Sequence, residues 1–354
     1  MNRRRWLCSD VWMDILPSFD HAQLGLKMAL LSDRFDVLVD KHFDGKSELT
    51  IWREIRFRKD IGPKPILSVR VDGKFVGFPM PDHSLPNKIR FNDLQIYYID
   101  HSVIKFLRSN KPIWDRRGTK LEVFVDAFDT DVQPIWDVFI RQIWPLFATN
   151  IHHLSFADGD DLDKLRRRIS PTLLTDLDQL YSIDCGYLFP DGIADDGPNA
   201  TACQALTKWL HTPTKNGQPK QLHHRMYFLA LGPPNLEWVN NFKETFLRAT
   251  TSVSYTIQLY FRVETMPTEP FELVNERTKE KLTLKQEIEA SSNGIIYNWL
   301  LQRCPIGETA TAPVKFDPWH DNNSDANLNN ILFIFFSGND SIGPLSPLAE
   351  EEKE

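Results

Sequence analysis

The sequence predicts an α/β fold. A helical N-terminal module is followed by an irregular, leucine-rich-repeat-like arc of β-α units and then by a C-terminal capping element. Three observations predict it. Amphipathic stripes fill the stretch from Trp6 to Phe43, strand-like anchors recur through the middle of the chain, and each gap between anchors has room for one helix. The anchors Ile96, Val123, Leu154, Ile183, Met226 and Ile257 stand 27, 31, 29, 43 and 31 residues apart. A persistent period of about 30 residues marks supersecondary units stacked side by side.

In the N-terminal module (residues 1–50), Leu24, Met28, Leu31, Phe35 and Leu38 fall at i, i+4, i+7, i+11 and i+14, one face of a helix. Val11, Ile15 and Phe19 make a shorter stripe that Pro17 interrupts, because proline has no N–H to donate. Two such short faces must pack on the rest of the chain or on a partner. Residues 51–92 read as a hairpin and linker region, in which Ile66 to Phe78 alternates around the tight-turn pair Asp72-Gly73.

Residues 93–265 form the arc. Strands are expected at Leu94–Ile99, Leu121–Val125, His153–Phe156, Tyr181–Cys185, Leu222–Phe228 and Thr256–Phe261. Helical patterns lie between them at Ser102–Leu107, Ile135–Phe147, Leu162–Leu177, Ala202–Leu210 and Leu236–Leu247. The one long interval contains two loop-like inserts, Pro190–Ala200 and Thr212–Lys220. A crossover holding a helix requires parallel strands with right-handed connections. A doubly wound sheet is the alternative. Residues 266–345 read as the cap, with a hairpin over Phe271–Leu284, a helix over Ile296–Leu301 and a strand over Ile331–Ser337. Residues 346–354 read as a disordered acidic tail.

Composition narrows the function. The chain has 354 residues, 42% hydrophobic and 25% charged, ordinary values for a globular protein with a substantial core. A net charge of −7 argues against a nucleic-acid binder that relies on a global positive field. Arg3, Arg4 and Arg5, and again Arg166, Arg167 and Arg168, read as solvated runs. Cys8, Cys185, Cys203 and Cys304 are scattered without a C-x-x-C pair, so reduced thiols in an intracellular chain, cytoplasmic or nuclear, are expected. No signal peptide follows the first arginines, and no run approaches the roughly 20 apolar residues that span a bilayer. On that reading the sequons at Asn199, Asn322 and Asn339 stay unmodified.

The motifs of catalysis are missing. Gly45-Lys46-Ser47 resembles the end of a P-loop, but Asp40 stands where the first glycine belongs. The acidic run Asp158, Asp160, Asp161, Asp163 puts Leu162, Asp163 and Ile169 where a calcium loop needs a ligand, a glycine and a glutamate. Helix capping explains it better. His152-His153 and His223-His224 are strand neighbours and so point to opposite faces, which prevents either pair from chelating one metal. No metal, cofactor or enzymatic activity is expected.

Alternation assigns one face of the arc to the core and the other to binding. Gln95, Tyr97, Glu122, Phe124, His153, Ser155, Asp184, Arg225, Tyr227, Gln258 and Tyr260 fall on the outward face, whose aromatics and mixed charge resemble an interface.

The order of residues in the N-terminal module brings a resemblance. Leu7, Asp10, Ile15, Leu16 and Phe19, then Leu31, Ser32, Arg34, Phe35, Leu38 and Val39, match the pattern of an F-box, the module that docks on the Skp adaptor of SCF-type ubiquitin ligases. Cys8 stands where that family usually has proline. The stretches Leu85–Phe91 (LPNKIRF), Ile99–Leu107 (IDHSVIKFL), Ile143–Leu146 (IWPL), Tyr181–Asp184 (YSID), Ala205–Leu210 (ALTKWL), Pro270–Leu273 (PFEL), Leu282–Leu284 (LTL) and Cys304–Gly307 (CPIG) are similar to F-box proteins of plant-parasitic nematodes. The resemblance implies a substrate-recognition adaptor within a cullin-RING ligase. Leu7, Asp10, Ile15, Leu16, Phe19, Leu24, Leu31, Phe35 and Leu38 would meet the Skp adaptor or the module's own core, and the arc would hold a protein target. The rivals are a ligase-independent binding scaffold and an enzyme of unrecognised class.

Overall fold

Period-2 and period-3.6 patterns alternate along this chain, and its strands and helices follow them closely. The computed structural model describes residues 8–20, 23–44, 50–59, 64–71, 74–81, 84–85, 89–114, 119–125, 133–156, 159–186, 188–215, 217–225, 237–261, 269–291, 294–307, 330–336 and 341–345. In chain order the elements are α1 (Ser9–Ile15), α2 (Asp33–Asp44), β1 (Thr50–Lys59), β2 (Pro65–Val71), β3 (Lys74–Pro79), β4 (Ile89–Ile96), α3 (His101–Ser109), α4 (Lys111–Trp114) and β5 (Thr119–Val125). They continue with α5 (Gln133–Val138), α6 (Trp144–Phe147), β6 (Ile151–Phe156), α7 (Gly159–Arg168), α8 (Leu173–Asp176), β7 (Ser182–Gly186), α9 (Ala202–Leu210), β8 (Lys220–Arg225), α10 (Glu237–Arg248) and β9 (Tyr255–Phe261). Four strands close the chain: β10 (Phe271–Asn275), β11 (Glu280–Ser291), β12 (Gly294–Pro305) and β13 (Asn330–Phe336). The fold is mixed α/β, with a large mixed sheet and several helices.

The chain divides into two compact units, residues 1–119, 124–147 and 328–354 in the first and 120–123 with 148–327 in the second. The first unit begins with the helical module. Helix α1 stops at Ile15 because Pro17 follows, and a short 3-10 turn, Leu16–Ser18, takes over. A π-helical turn at Leu24–Met28 and a tighter 3-10 turn at Ala29–Leu31 lead into α2. Leu16, Leu24, Leu26, Leu38, Val39 and Phe43 are buried, which gives this stretch a core of its own. In the sheet of this unit, β4 runs parallel to both β1 and β13, while β1–β2 and β2–β3 are antiparallel. The β2–β3 pairing closes with Val71 opposite Lys74, as expected for a hairpin around Asp72-Gly73. Residues 341–345 follow β13 and lie against the start of α3, where Ile342 bridges Ile99 and the Gly343 N–H donates to the Ile99 carbonyl. A Cβ at Gly343 would collide with the Tyr98 hydroxyl, so glycine permits this close approach. Asp100 caps α3, its carboxylate accepting from the N–H groups of Ser102 (2.9 Å) and Val103 (3.0 Å).

The second unit contains the β-α units. Its strands β5, β6, β7, β8 and β9 lie side by side in chain order, and β12, β11 and β10 continue from β9. Strands β6 to β9 are parallel, and the last three joints are antiparallel. A doubly wound sheet reverses its order at a switch point; the order from β5 to β9 never reverses. Helix α9 packs on both α7 and α8, so these crossover helices share one face. Thr201 and Gln204 form a reciprocal capping box at the start of α9. Asp160 and Asp161 occupy the first turn of α7, where they favour the positive end of the helix dipole.

Four expectations change. The helical pattern at Leu162–Leu177 is two helices, α7 and α8, because Pro171 disfavours helical geometry at Ser170. The stretch Ile296–Leu301 belongs to strand β12, not to a helix. Paired on both edges and buried from Asn298 to Cys304, it is the kind of apolar run whose period does not separate strand from helix. Strand β1 lies in a region read as hairpin and linker. Strand β13 pairs with β4, whereas β10–β12 extend from β9. The expected turn at Asp72-Gly73, the segment Met226–Phe228, the first arginine run and the acidic tail lie outside the described residues.

Candidate functional site

Alternation along β6–β9 gives the second unit two unlike sheet faces. Leu154, Phe156, Ile183, Cys185, Leu222, Ile257 and Leu259 share one face and are buried. The opposite face carries His153, Ser155, Ser182, Asp184, Gln221, His223, Thr256 and Gln258. The parallel register aligns Ser155 with Asp184, Asp184 with His223 and His223 with Gln258, one row across four strands. Strand β12 extends the face with Asn298, Leu300 and Gln302, opposite Tyr260, Gln258 and Thr256.

This polar face is buried. Exposure is 1% for Asp184, 5% for His223, 3% for Gln258 and 1% for Asn298. The outward residues Asp184 and Gln258 are therefore not solvated as the sequence led one to expect. In-register neighbours on both sides flank each of them. His153 Nε2 stands 3.5 Å from Asp184 Oδ2, a loose contact. Burial lowers the His153 pKa, and Asp184 opposes that shift without cancelling it, so the imidazole is neutral near pH 7. Among the described residues no hydrogen bond reaches Gln258 Oε1 or Asn298 Oδ1.

The row Ser155–Asp184–His223 does not have the order of a catalytic triad. A triad needs an imidazole between hydroxyl and carboxylate, whereas here Asp184 lies between Ser155 and His223. Among the described residues no group of three His, Cys, Asp or Glu side chains is placed to hold a metal ion. Cys185 faces the core, with its Sγ 3.5 Å from the Leu188 carbonyl. His224 is also on the core side, stacked on Phe189 at 3.8 Å, and burial pushes its pKa down to about 3. The two histidines of the pair 223-224 thus point apart, as their strand positions require.

The outward residues fall into two groups. Glu122, His153, Ser155, Asp184 and Gln258 share the face of the second unit, with Glu122 paired to Lys120 at 2.6 Å. Arg225 and Tyr260 sit opposite one another in the β8–β9 register, their side chains outside the described residues, and Tyr227 lies outside them altogether. Gln95 and Tyr97 belong to the first unit, as does the backbone of Phe124. There they join two residues that sequence reasoning missed. Arg56 Nε donates to Gln95 Oε1 (2.7 Å), its guanidinium lies 3.8 Å from the centre of the Phe75 ring, and the Tyr97 hydroxyl reaches Gln95 Oε1 (3.0 Å). The alternation Ile55-Arg56-Phe57-Arg58, with Ile55 and Phe57 buried, was the signal for β1 and for Arg56.

In the N-terminal module, Leu16, Leu24 and Leu38 are buried, while Ile15, Phe19 and Phe35 are half-buried. Phe35 meets Trp12 edge to face at 4.8 Å. Asp10 is exposed, Leu31 is 64% exposed and Val37, which the motif did not single out, is 66% exposed. Leu7 lies outside the described residues.

Arg166 departs from the solvated reading of its run. It is 3% exposed and donates to the carbonyls of Pro171 (3.0 Å), Ala200 (2.8 Å) and Gly197 (3.3 Å) and to Asp163 (3.2 Å). It lines a cleft of about 350 Å³, in which these bonds commit it to holding the 197–200 loop.

Comparison with known protein families, with curated proteins and with solved structures finds no match. Among the described residues no helix is long and apolar enough to cross a membrane.

Proposed function

We propose that this protein is a substrate-recognition adaptor of an SCF-type ubiquitin ligase, whose N-terminal helices dock on the Skp adaptor and whose β5–β9 units form an irregular leucine-rich-repeat-like arc that holds a protein target. The observation that carries the proposal is the division of labour inside the N-terminal module. Leu16, Leu24 and Leu38 stabilise the module itself, whereas Leu31 and Val37 expose most of their apolar surface to solvent. Exposed apolar side chains of that size on a short helical module fit a partner surface. Burying a Leu and a Val there is worth roughly 1.5–3 kcal/mol each.

The target-binding role rests on the sequential β-α architecture of the second unit. An adaptor works by proximity: holding an acceptor beside the ligase raises its effective concentration without any chemistry in this chain. The sequential order of β5–β9 and the shared face of α7, α8 and α9 favour an arc over a doubly wound sheet. The ligase-independent scaffold keeps one argument, since three residues of the docking motif are spent on internal packing.

Co-purification with the Skp adaptor separates the two. Wild type is expected to co-purify, and a Leu31→Asp, Val37→Asp variant to lose the adaptor. Wild type that fails to bind, or a double variant that binds equally well, favours the scaffold.

A further inference from the structure

We propose that the cleft between α7 and the loop before α9 binds a small phosphorylated molecule that also carries hydroxyl groups. The site lies wholly within the second unit and does not depend on the adaptor reading.

The cleft has a volume of about 350 Å³, within the range of roughly 300–1,000 Å³ that holds small molecules. Asp163, Arg166 and Arg167 of α7 line it together with Pro171 and residues 198–201. Buried Arg166 is its frame, because its bonds to the carbonyls of Pro171, Gly197 and Ala200 tie α7 to the loop. Asp163 Oδ1 meets the Arg166 charge at 3.2 Å. Thr201 is fixed too: its hydroxyl accepts from the Gln204 N–H, and its own N–H donates to the Gln204 side chain.

The groups left over inside this frame are mostly donors that solvent reaches. Arg167 and Asn199 line the cleft and are exposed, and among the described residues neither side chain has a hydrogen bond or ion pair. The Thr201 hydroxyl keeps its proton to donate. A guanidinium fork, an amide NH2 and a hydroxyl suit the oxygens of a phosphate. Arg167 supplies the charge, since Arg166 is already met by Asp163, and the start of α9 adds the positive end of its dipole. Asp195 and Asp196, earlier in the loop, accept from the Gly197 N–H and the Thr175 hydroxyl and do not line the cleft. Asp163 is 27% exposed and keeps Oδ2 as an acceptor. A bare anion would face that carboxylate without relief, whereas a hydroxyl beside the phosphate would donate to it.

Isothermal titration calorimetry and thermal unfolding of the full chain test it, with glycerol 3-phosphate, inorganic phosphate and glycerol as probes. The expected result is binding of glycerol 3-phosphate, weaker binding of inorganic phosphate and none of glycerol. Arg167→Ala should weaken glycerol 3-phosphate about tenfold or more, the loss of one hydrogen bond to a charged group. Its unfolding temperature without ligand should match wild type, because that side chain holds nothing in the fold and alanine suits a helix. Asp163→Asn keeps an acceptor for Arg166 and should abolish the preference for glycerol 3-phosphate over inorganic phosphate. Three results overturn the proposal: folded wild type that shows neither heat nor a raised unfolding temperature with glycerol 3-phosphate, an Arg167→Ala affinity equal to wild type, or equal wild-type affinity for the two phosphates.

Discussion

The second unit holds two buried polar clusters that differ in how fully their atoms are matched. In the first, Glu280 and Arg303 are 0% and 2% exposed, and Arg303 grips the carboxylate with Nε (3.1 Å) and a terminal nitrogen (2.6 Å). The other carboxylate oxygen accepts from Ser252 (2.8 Å) and from the Val253 N–H (2.9 Å), and Arg303 also donates to the Thr251 carbonyl (2.8 Å). Burial pushes the Glu280 pKa up, but hydrogen bonds led by those from Arg303, with Ser252 beside them, outweigh it and hold the group below its ordinary value. In the second cluster, Asp184 and Gln258 are as deeply buried, yet the His153–Asp184 contact is long and two amide oxygens have no donor among the described residues. A saturated cluster ties the 249–254 loop to β11 and β12. The two unmatched amide oxygens of the other carry a cost to the folded state.

The largest effect should come from breaking the saturated cluster. Arg303→Met leaves Glu280 buried without its cation and should cost about 3–5 kcal/mol in urea unfolding. A loss below about 1 kcal/mol would mean that the ion pair is not what holds the loop.

A smaller effect comes from His224, on the core face behind the polar row. Its pKa falls from the ordinary 6.5 to about 3, so folding disfavours its protonation. The unfolded chain takes up the proton first as pH drops, so this contribution is full above pH 6.5 and is lost between there and about pH 3. At pH 5 the loss should reach about 2 kcal/mol. His211, lowered to about 4 mainly by burial, acts in the same direction. A His224→Phe variant, with an aromatic ring kept against Phe189, should show a flatter dependence of unfolding midpoint on pH than wild type. Parallel profiles would contradict the assignment.

Removing an unmatched acceptor should help. Gln258→Leu is expected to stabilise the fold by about 1 kcal/mol, read from the same unfolding curves. A clear loss of stability would show that the amide is satisfied and would make the two clusters alike. The smallest effect belongs to the Leu31→Asp, Val37→Asp variant, whose unfolding free energy should stay within about 0.5 kcal/mol of wild type, because both side chains are exposed.

Much of this architecture was legible because local patterns and burial agree. The alternation of Leu154, Phe156, Ile183 and Cys185 with His153, Ser155 and Asp184 set the facing of β6 and β7, though not which residues pair across them. The helical period of Ala202–Leu210 marked α9 at its observed bounds. Pairing partners were harder to read. Nothing local in Asn330–Phe336 says that it runs beside β4, and nothing in Ile296–Leu301 distinguishes a strand buried on both faces from a helix. At the candidate site, facing was readable and burial was not, because the exposure of Asp184 and Gln258 depends on neighbours far away in sequence. Arg166 shows the same limit: three adjacent arginines look solvated until the 197–200 loop supplies carbonyls to one of them.

The central claim is that docking and target recognition occupy different surfaces. Hydrogen–deuterium exchange on the full chain, alone and with the purified Skp adaptor, tests it most directly. The account predicts slowed exchange across Leu24–Asp44 and unchanged exchange across β6–β9. Protection on β6–β9 with none in the helical module, or no protection anywhere, would contradict it.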